Sequence, residues 1–170
     1  MTLRRLQPDD AAAFQALRLQ GLRECPEAFA SSYEEEAPQP LESVAARLAH
    51  RADGALFGWH RGPQLLGVVG VQREHLRKLA HKADLWGMYV ALEARRAGVA
   101  RALLVHALRY ATDELNVLQV TLGVNASNHG AVALYRSIGF SVFGTEQGFL
   151  RVDGVLHDSH QMVWRPAGAA

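Results

Sequence analysis

Residues 87–104 read GMYVALEARRAGVARALL, an apolar strand that runs into a helix through a stretch of arginines and small residues. We predict the strand over Leu85–Val90 and the helix from Ala94 to about Glu114, because apolar residues recur along one side of it. A second stretch, residues 120–140, reads VTLGVNASNHGAVALYRSIGF. It predicts a strand, a polar loop, a short helix that stops at Gly139, and another strand.

The junction in the first stretch has the chemistry of an anion-binding site. The first turn of a helix offers N–H groups without partners and a partial positive charge. Three small residues would let a phosphate approach this backbone: Ala97, Gly98 and Ala100. Three arginines would add positive charge around it: Arg95, Arg96 and Arg101. The alternative is an ordinary helix N-terminus with solvated arginines, and Gly98 alone does not decide between the two.

The second stretch carries polar residues at the start of its short helix. Asn125 and Asn128 flank this start, where amide side chains either cap the backbone or bind a ligand. Tyr135 lies further along the same helix, either as an aromatic residue packed on its inner face or as a functional hydroxyl.

The rest of the chain predicts short elements around these two stretches. They are a strand at Leu3–Leu6, a helix capped by Asp9 or Asp10 and running to about Glu24, a loop over residues 25–40, a helix from Leu41, a hairpin of Ala55–His60 with Leu65–Arg73, and a final hairpin of Phe140–Phe149 with Val155–Trp164. A strand–helix–strand centre between two hairpins predicts a mixed α/β sheet that is parallel only at its centre. With no internal linker, we expect one domain over residues 1–170.

Composition excludes several function classes. The chain has 170 residues and a formal net charge of +1, so nothing favours nucleic acid or an anionic membrane as a partner. One cysteine, Cys25, and a start without a secretory signal lead us to expect a cytoplasmic protein. Motifs for dinucleotide binding, phosphate loops, nucleophile elbows and paired metal-binding cysteines are missing from the sequence, and we expect no metal.

Together, the two stretches resemble the GCN5-related N-acetyltransferase (GNAT) superfamily. Arg95, Gly98 and Ala100 match its central signature, Arg/Gln-x-x-Gly-x-Gly/Ala. Its downstream pattern is matched by Asn125, Asn128, Tyr135, Gly139 and Phe140. The resemblance implies a mixed sheet of about seven strands, splayed open at its centre and flanked by about four helices. It also implies acetyl-CoA as cosubstrate, held in the opening between the fourth and fifth strands.

The resemblance assigns roles to individual residues. The backbone of Met88, Tyr89 and Val90 would pair with the pantetheine arm, and Asn128 would contact the cofactor beside Asn125. The pyrophosphate would be held by backbone N–H groups from Arg96, Ala97, Gly98, Val99, Ala100 and Arg101. Tyr135 would lie beside the sulfur as general acid, in contact with the cofactor.

The general base is less well defined. The acidic run Glu34–Glu36 lies in a region that often lines the acceptor site in this family, and we take Glu35 as the candidate base. A solvated charge run is the alternative. Other candidate bases are His81 and Asp84, while Asp158 and His160 are candidate residues of the acceptor site.

The resemblance implies an enzyme that moves the acetyl group of acetyl-CoA directly to a primary amine. The acceptor, a small molecule or a protein amine, is not readable, although the acidic run favours a cationic one. A non-catalytic CoA- or acyl-CoA-binding regulatory module is the main alternative, and a structural subunit is another. Homodimers are common in the family, and a homodimer stays open for this chain.

Overall fold

The computed structural model describes residues 1–166, in which seven strands form one mixed sheet and five α-helices flank it. The strands are β1 (Thr2–Arg5), β2 (Gly54–Arg61), β3 (Gln64–Arg73), β4 (Lys82–Val90), β5 (Gln119–Asn125), β6 (Ser141–Val152) and β7 (Val155–Trp164). The helices are α1 (Ala11–Glu24), α2 (Tyr33–Glu36), α3 (Leu41–Leu48), α4 (Val99–Asp113) and α5 (His129–Ile138). The expected α/β class and seven-stranded sheet are confirmed.

The strands lie in the order β1-β2-β3-β4-β5-β7-β6. Every neighbouring pair is antiparallel except β4 and β5, which are parallel, so the prediction that the sheet is parallel only at its centre is confirmed. Both predicted hairpins form, β2 with β3 and β6 with β7. The helix α4 provides the connection that a parallel pair requires.

Helices α1 and α4 cover opposite faces of the sheet. A Cβ at Gly21 of α1 would lie 2.9 Å from the ring of Tyr89 on β4, so α1 packs closely over this residue. On the other face, a Cβ at Gly67 of β3 would lie 3.0 Å from Leu103 of α4. Leu103 and Leu104 are fully buried, and they anchor α4 in the core.

Three local predictions are corrected. The helix α4 begins at Val99 rather than Ala94, because a 3-10 turn at Leu92–Ala94 and an irregular loop precede it. Residues 25–40 are not a loop throughout, since they contain a second 3-10 turn, Pro26–Ala28, and the short helix α2. Asp10 occupies the N-cap position of α1, but its carboxylate accepts hydrogen bonds from Arg4 and from the Gln7 N–H instead of capping that helix.

The parallel pair β4–β5 is short. Only Lys82–Asp84 pair with Gln119–Thr121, and the hydroxyl of Thr121 donates to the Asp84 carboxylate at the last pair. Just beyond this point β4 carries a bulge against β3, where Gly87 adopts a φ of +63° that favours glycine. A bulge increases the local twist of a strand, which carries β4 away from β5.

Candidate active site

A cleft of about 560 Å³ opens where β4 and β5 separate. Its walls are residues 85–90 of β4 and 122–125 of β5, and the loop before α4 and one face of α5 complete it. Every predicted cofactor residue except Ala97 lines this cleft. Its volume is within the range of small-molecule binding sites.

Within residues 1–166, the edge of β4 that faces the cleft has no strand partner beyond Asp84. On its other edge β4 stays paired with β3 as far as Val90. Backbone groups along Leu85–Val90 can therefore pair with an extended ligand that carries amides, as an added strand would. The Val90 carbonyl already accepts a hydrogen bond from Arg95 Nε, at 2.8 Å.

The start of α4 presents backbone donors to the cleft. The first hydrogen bond within this helix runs from the Ala102 N–H to the Gly98 carbonyl, so the N–H groups of Val99, Ala100 and Arg101 have no helical acceptor. Gly98 is the N-cap, with a φ of +79° that favours glycine, and a Cβ built there would meet no atom of residues 1–166 within 4 Å. The backbone is thus open at this point, where the sequence leads us to expect that a phosphate approaches.

The three arginines of this junction do not all surround it. Arg95 turns back over the end of β4, where its guanidinium lies 3.6 Å from the Glu24 carboxylate and over the ring of Tyr89. Arg101 donates to the Ser137 hydroxyl at 2.6 Å and joins α4 to α5. Arg96 is exposed at the cleft, with its own backbone in the left-handed region at a φ of +61°.

Tyr89 and Glu24 form a second link between α1 and β4. The Tyr89 hydroxyl donates to the Glu24 carboxylate at 2.6 Å. Burial and this hydrogen bond raise the pKa of the Tyr89 phenol, and the same bond lowers the pKa of the Glu24 carboxyl. The side chain of Tyr89 is therefore hydrogen-bonded to α1, and the backbone of Tyr89 is the part that a ligand can reach.

Tyr135 lines the cleft from α5. Its side chain is buried, and its ring packs edge-on against Phe140 with 5.8 Å between ring centres. Burial raises the pKa of its phenol to about 12. The phenol is therefore protonated at neutral pH and can donate a hydrogen bond into the cleft.

The two asparagines hold the turn into α5. Asn128 caps this helix, because its side-chain oxygen accepts from the Ala131 N–H at 3.1 Å, and its amide nitrogen donates to no group in the described part of the chain. Asn125 donates to the Glu27 carbonyl at 3.1 Å and accepts from the Ser127 N–H at 2.8 Å. Both asparagines line the cleft, so the capping and ligand-binding roles are compatible for Asn128.

The family model that matches this sequence is described as the acetyltransferase (GNAT) family, and it matches residues 20–140, most of the chain. The chain belongs to the GNAT family. By this membership it is an acyltransferase that uses acetyl-CoA, and acetyl transfer is its chemistry.

Solved structures share the whole GNAT fold. A GNAT acetyltransferase from Streptococcus pneumoniae is 20% identical with a TM-score of 0.89, over 97% of this chain and 99% of that one. The putative acetyltransferase yncA from Salmonella typhimurium, solved with acetyl-CoA, is 16% identical with a TM-score of 0.80, over 97% and 93%. A chimera of the spermidine N-acetyltransferase SpeG from Vibrio cholerae with hSSAT is 25% identical with a TM-score of 0.75, over 99% and 98%. No curated protein matches the sequence significantly.

Residues 1–166 of this GNAT chain contain neither a candidate membrane-spanning helix nor a candidate metal-binding group of side chains. In this part of the chain, no helix is both long and apolar enough to cross a membrane. The same residues contain no group of three or more His, Cys, Asp or Glu side chains that could hold a metal ion.

The structure does not bring Glu35, the candidate base, to the cleft. The Glu35 carboxylate accepts from the Ser32 N–H at 2.7 Å and closes a capping box at the start of α2. It lines a separate surface groove with Gln39 and Arg47. Glu34 is exposed, and Glu36 is buried against Arg18, so the acidic run does not act as one acceptor surface.

The other candidate bases, His81 and Asp84, and the two candidate acceptor-site residues, Asp158 and His160, lie in different places. Asp84 is held by Thr121 where the strands separate, His81 is exposed, and His160 contacts the Thr145 hydroxyl at 2.8 Å. Asp158 lines a second cavity, which we call the acceptor cavity. It has a volume of about 330 Å³ and shares the walls 85–87 and 123–125 with the cleft.

The acceptor cavity contains residues that our sequence analysis missed. They include Arg18, Phe29, Trp86 and His157. Trp86 lies against β3, where a Cβ at Gly70 would come within 2.3 Å of its indole. The sequence does contain a signal for Arg18. It is a charged residue on the same buried face of α1 as Phe14, Leu17 and Leu22, where an apolar residue would be expected.

Proposed function

We propose that this GNAT chain transfers the acetyl group of acetyl-CoA directly to a primary amine. The observation that supports this most is the open edge of β4, which leads along the cleft to the unpaired N–H groups at the start of α4. An amide-containing arm that ends in a diphosphate matches this arrangement of donors and acceptors.

In this proposal the backbone binds most of the cosubstrate. The N–H groups from Arg96 to Arg101 hold the diphosphate, and the backbone of Met88, Tyr89 and Val90 pairs with the pantetheine amides. Asn128, beside Asn125, contacts the arm through its free amide nitrogen. Gly98 supports this placement, since it leaves the backbone without a side chain at the point of closest approach.

The chemical step requires three further groups. A backbone N–H near Val90 stabilises the negative charge that develops on the thioester oxygen. Tyr135 donates a hydrogen bond to the departing sulfur. The acceptor must lose a proton first, because a free alkyl ammonium has a pKa of roughly 10. We assign the removal of this proton to a path of water molecules instead of Glu35. The Glu35 carboxylate is held by Ser32 outside the cleft and the acceptor cavity.

Solved neighbours leave the acceptor open. One is named as a spermidine N-acetyltransferase chimera, and another is named as the ribosomal-protein-S18-alanine N-acetyltransferase from Escherichia coli. These names describe acceptors of different chemistry on the same fold, so the acceptor depends on side chains outside the cosubstrate cleft.

Release of free thiol from acetyl-CoA tests this proposal. The purified chain is incubated with acetyl-CoA and pooled primary amines, with the N-acetylated forms of the same amines as the control. We expect thiol release with the free amines only. If calorimetry detects acetyl-CoA binding but no amine releases thiol, the chain is a CoA-binding regulatory module and the proposal fails.

A further inference from the structure

Arg18 is a buried arginine with one donor group left free. Its side chain is 9% exposed, and Glu36 holds it through Nε at 3.1 Å and through Nη2 at 2.8 Å. Its guanidinium also stacks on the ring of Phe29, with 4.5 Å to the ring centre. Nη1 has no hydrogen-bond partner within residues 1–166. Most buried polar side-chain atoms have a hydrogen-bond partner, so this nitrogen has room in its bonding for a ligand atom that residues 1–166 do not supply.

The free nitrogen is turned toward the bulge of β4. Among residues 1–166, a Cβ built on Gly87 would meet Arg18 Nη1 alone, at 4.0 Å, so this nitrogen faces the bulge. Gly87 lines both the cleft and the acceptor cavity, and Arg18 lines the acceptor cavity. Nη1 is therefore close to the point where the acceptor cavity meets the cleft.

The charges of the acceptor cavity are unevenly placed. Its ionisable residues are Arg18, Glu27, His157 and Asp158. Of these, Arg18 alone is buried, whereas Asp158 is exposed and accepts from the Gly148 N–H at 2.9 Å. Glu36, which balances part of the Arg18 charge, does not line the cavity. A ligand group at the inner end of the cavity therefore meets a guanidinium, with the carboxylates nearer the surface.

We propose that the acceptor is a small primary amine that carries a carboxylate, and that Arg18 Nη1 binds this carboxylate. This inference rests on the proposed function, because it takes the acetyl group to lie where the cleft and the acceptor cavity meet. Nη1 is next to that point, so the carboxylate lies only a few bonds from the reacting nitrogen, as in an amino acid. The volume of about 330 Å³ suits a molecule of this size.

The test compares amines that differ only in their carboxylate. Thiol release is measured with α-amino acids, β-alanine and γ-aminobutyrate, with the carboxamide of each, and with spermidine. We expect kcat/KM for the preferred carboxylate to exceed that of its carboxamide at least 10-fold, because the amide leaves the guanidinium without an anion. Equal rates for acid and amide, or a preference for spermidine, would overturn the inference.

A variant separates binding of the carboxylate from a structural role. Arg18→Lys keeps a positive charge for Glu36 but removes the planar fork. We expect it to raise KM for the carboxylate acceptor at least 10-fold while KM for the carboxamide and the affinity for acetyl-CoA stay within about 2-fold. Arg23→Lys is the matched control, because Arg23 is on the same helix but stacks on Tyr33 outside the cavity.

The outcomes distinguish the two proposals. If Arg18→Lys lowers kcat/KM equally for acid and amide, Arg18 is structural and the inference fails while the acetyltransferase proposal stands. If Arg18→Lys does not fold, the comparison of acid and amide with the unaltered chain still decides. If no amine releases thiol although acetyl-CoA binds, the proposed function fails, and this inference fails with it.

Discussion

We assign Tyr135 the role of a hydrogen-bond donor instead of the general acid that the family resemblance implies, because a phenol is a weaker acid than a thiol and burial widens the difference. A phenol with a pKa of about 12 is a weaker acid than a thiol, whose pKa is roughly 8.5. Full proton transfer from Tyr135 to a thiolate is therefore uphill. The same burial keeps the phenol protonated, so it can stabilise the departing sulfur as a hydrogen-bond donor. We accordingly expect a contribution the size of one charged hydrogen bond.

Replacing Tyr135 with phenylalanine tests this role. A hydrogen bond to a charged group contributes about 1.5–3 kcal/mol, so we expect kcat to fall about 10- to 100-fold. The phenyl ring keeps the contact with Phe140, and the affinity for acetyl-CoA should stay within about 2-fold. Steady-state thiol release and calorimetry measure the two quantities. An unchanged kcat with a good acceptor would remove Tyr135 from the mechanism.

The Arg18–Glu36 pair predicts how stability depends on pH. Burial alone would raise the pKa of the Glu36 carboxyl, but the hydrogen bonds and charge of Arg18 outweigh it and lower this pKa. The folded chain thus binds this proton more weakly than the unfolded chain does. The stabilisation is complete above about pH 4.5 and is lost as the pH falls through the lowered pKa.

Glu36→Gln removes this dependence and leaves Arg18 buried without its partner. We expect a loss of roughly 3–5 kcal/mol in the free energy of unfolding at pH 7, and a smaller loss at pH 3. Denaturant unfolding at both pH values measures it. Glu34→Gln is the control, because Glu34 is exposed, and it should change little. Equal losses for Glu36→Gln at both pH values would show that the ion pair does not titrate as described.

At the scale of elements, α4 shows where periodicity misleads. Apolar spacing extends back to Ala94, yet the helix begins at Val99. The loop between them has two residues in the left-handed region, Arg96 and Gly98. A glycine signals such a conformation, but an arginine does not, because its side chain disfavours it. The start of the helix therefore depends on tertiary contacts such as Arg95 to Val90, which periodicity does not report.

Gly98→Val tests the start of α4 as a phosphate site. Gly98 and Gly154 both adopt positive φ, +79° and +83°, and a Cβ at either position meets no described residue within 4 Å. Valine therefore adds similar backbone strain at both sites but adds bulk in the cleft only at Gly98. We expect at least a 10-fold loss of acetyl-CoA affinity for Gly98→Val and less than a 2-fold change for Gly154→Val, measured by calorimetry. Equal affinities for the two variants would argue against this site.

At the scale of the whole molecule, the features that follow from local sequence motifs were predictable. The features that depend on contacts between distant segments were not. The sequence was sufficient for the sheet with its parallel centre and for the residues that gather in the cleft, because both follow from strand, turn and helix signals that are each local in the chain. The acceptor cavity was not predictable in this way. It depends on α1 meeting β4, so that Arg18 lies beside Gly87, and on His157 of β7 approaching Asn125 at 3.5 Å. Such juxtapositions depend on the packed fold rather than on spacing along the chain.

A crystal structure of this chain with acetyl-CoA tests the central claim most directly. We expect diphosphate oxygens within about 3 Å of backbone nitrogens between Arg96 and Arg101, and pantetheine amides paired with the open edge of β4. Diphosphate bound elsewhere, with the start of α4 left to solvent, would contradict the account.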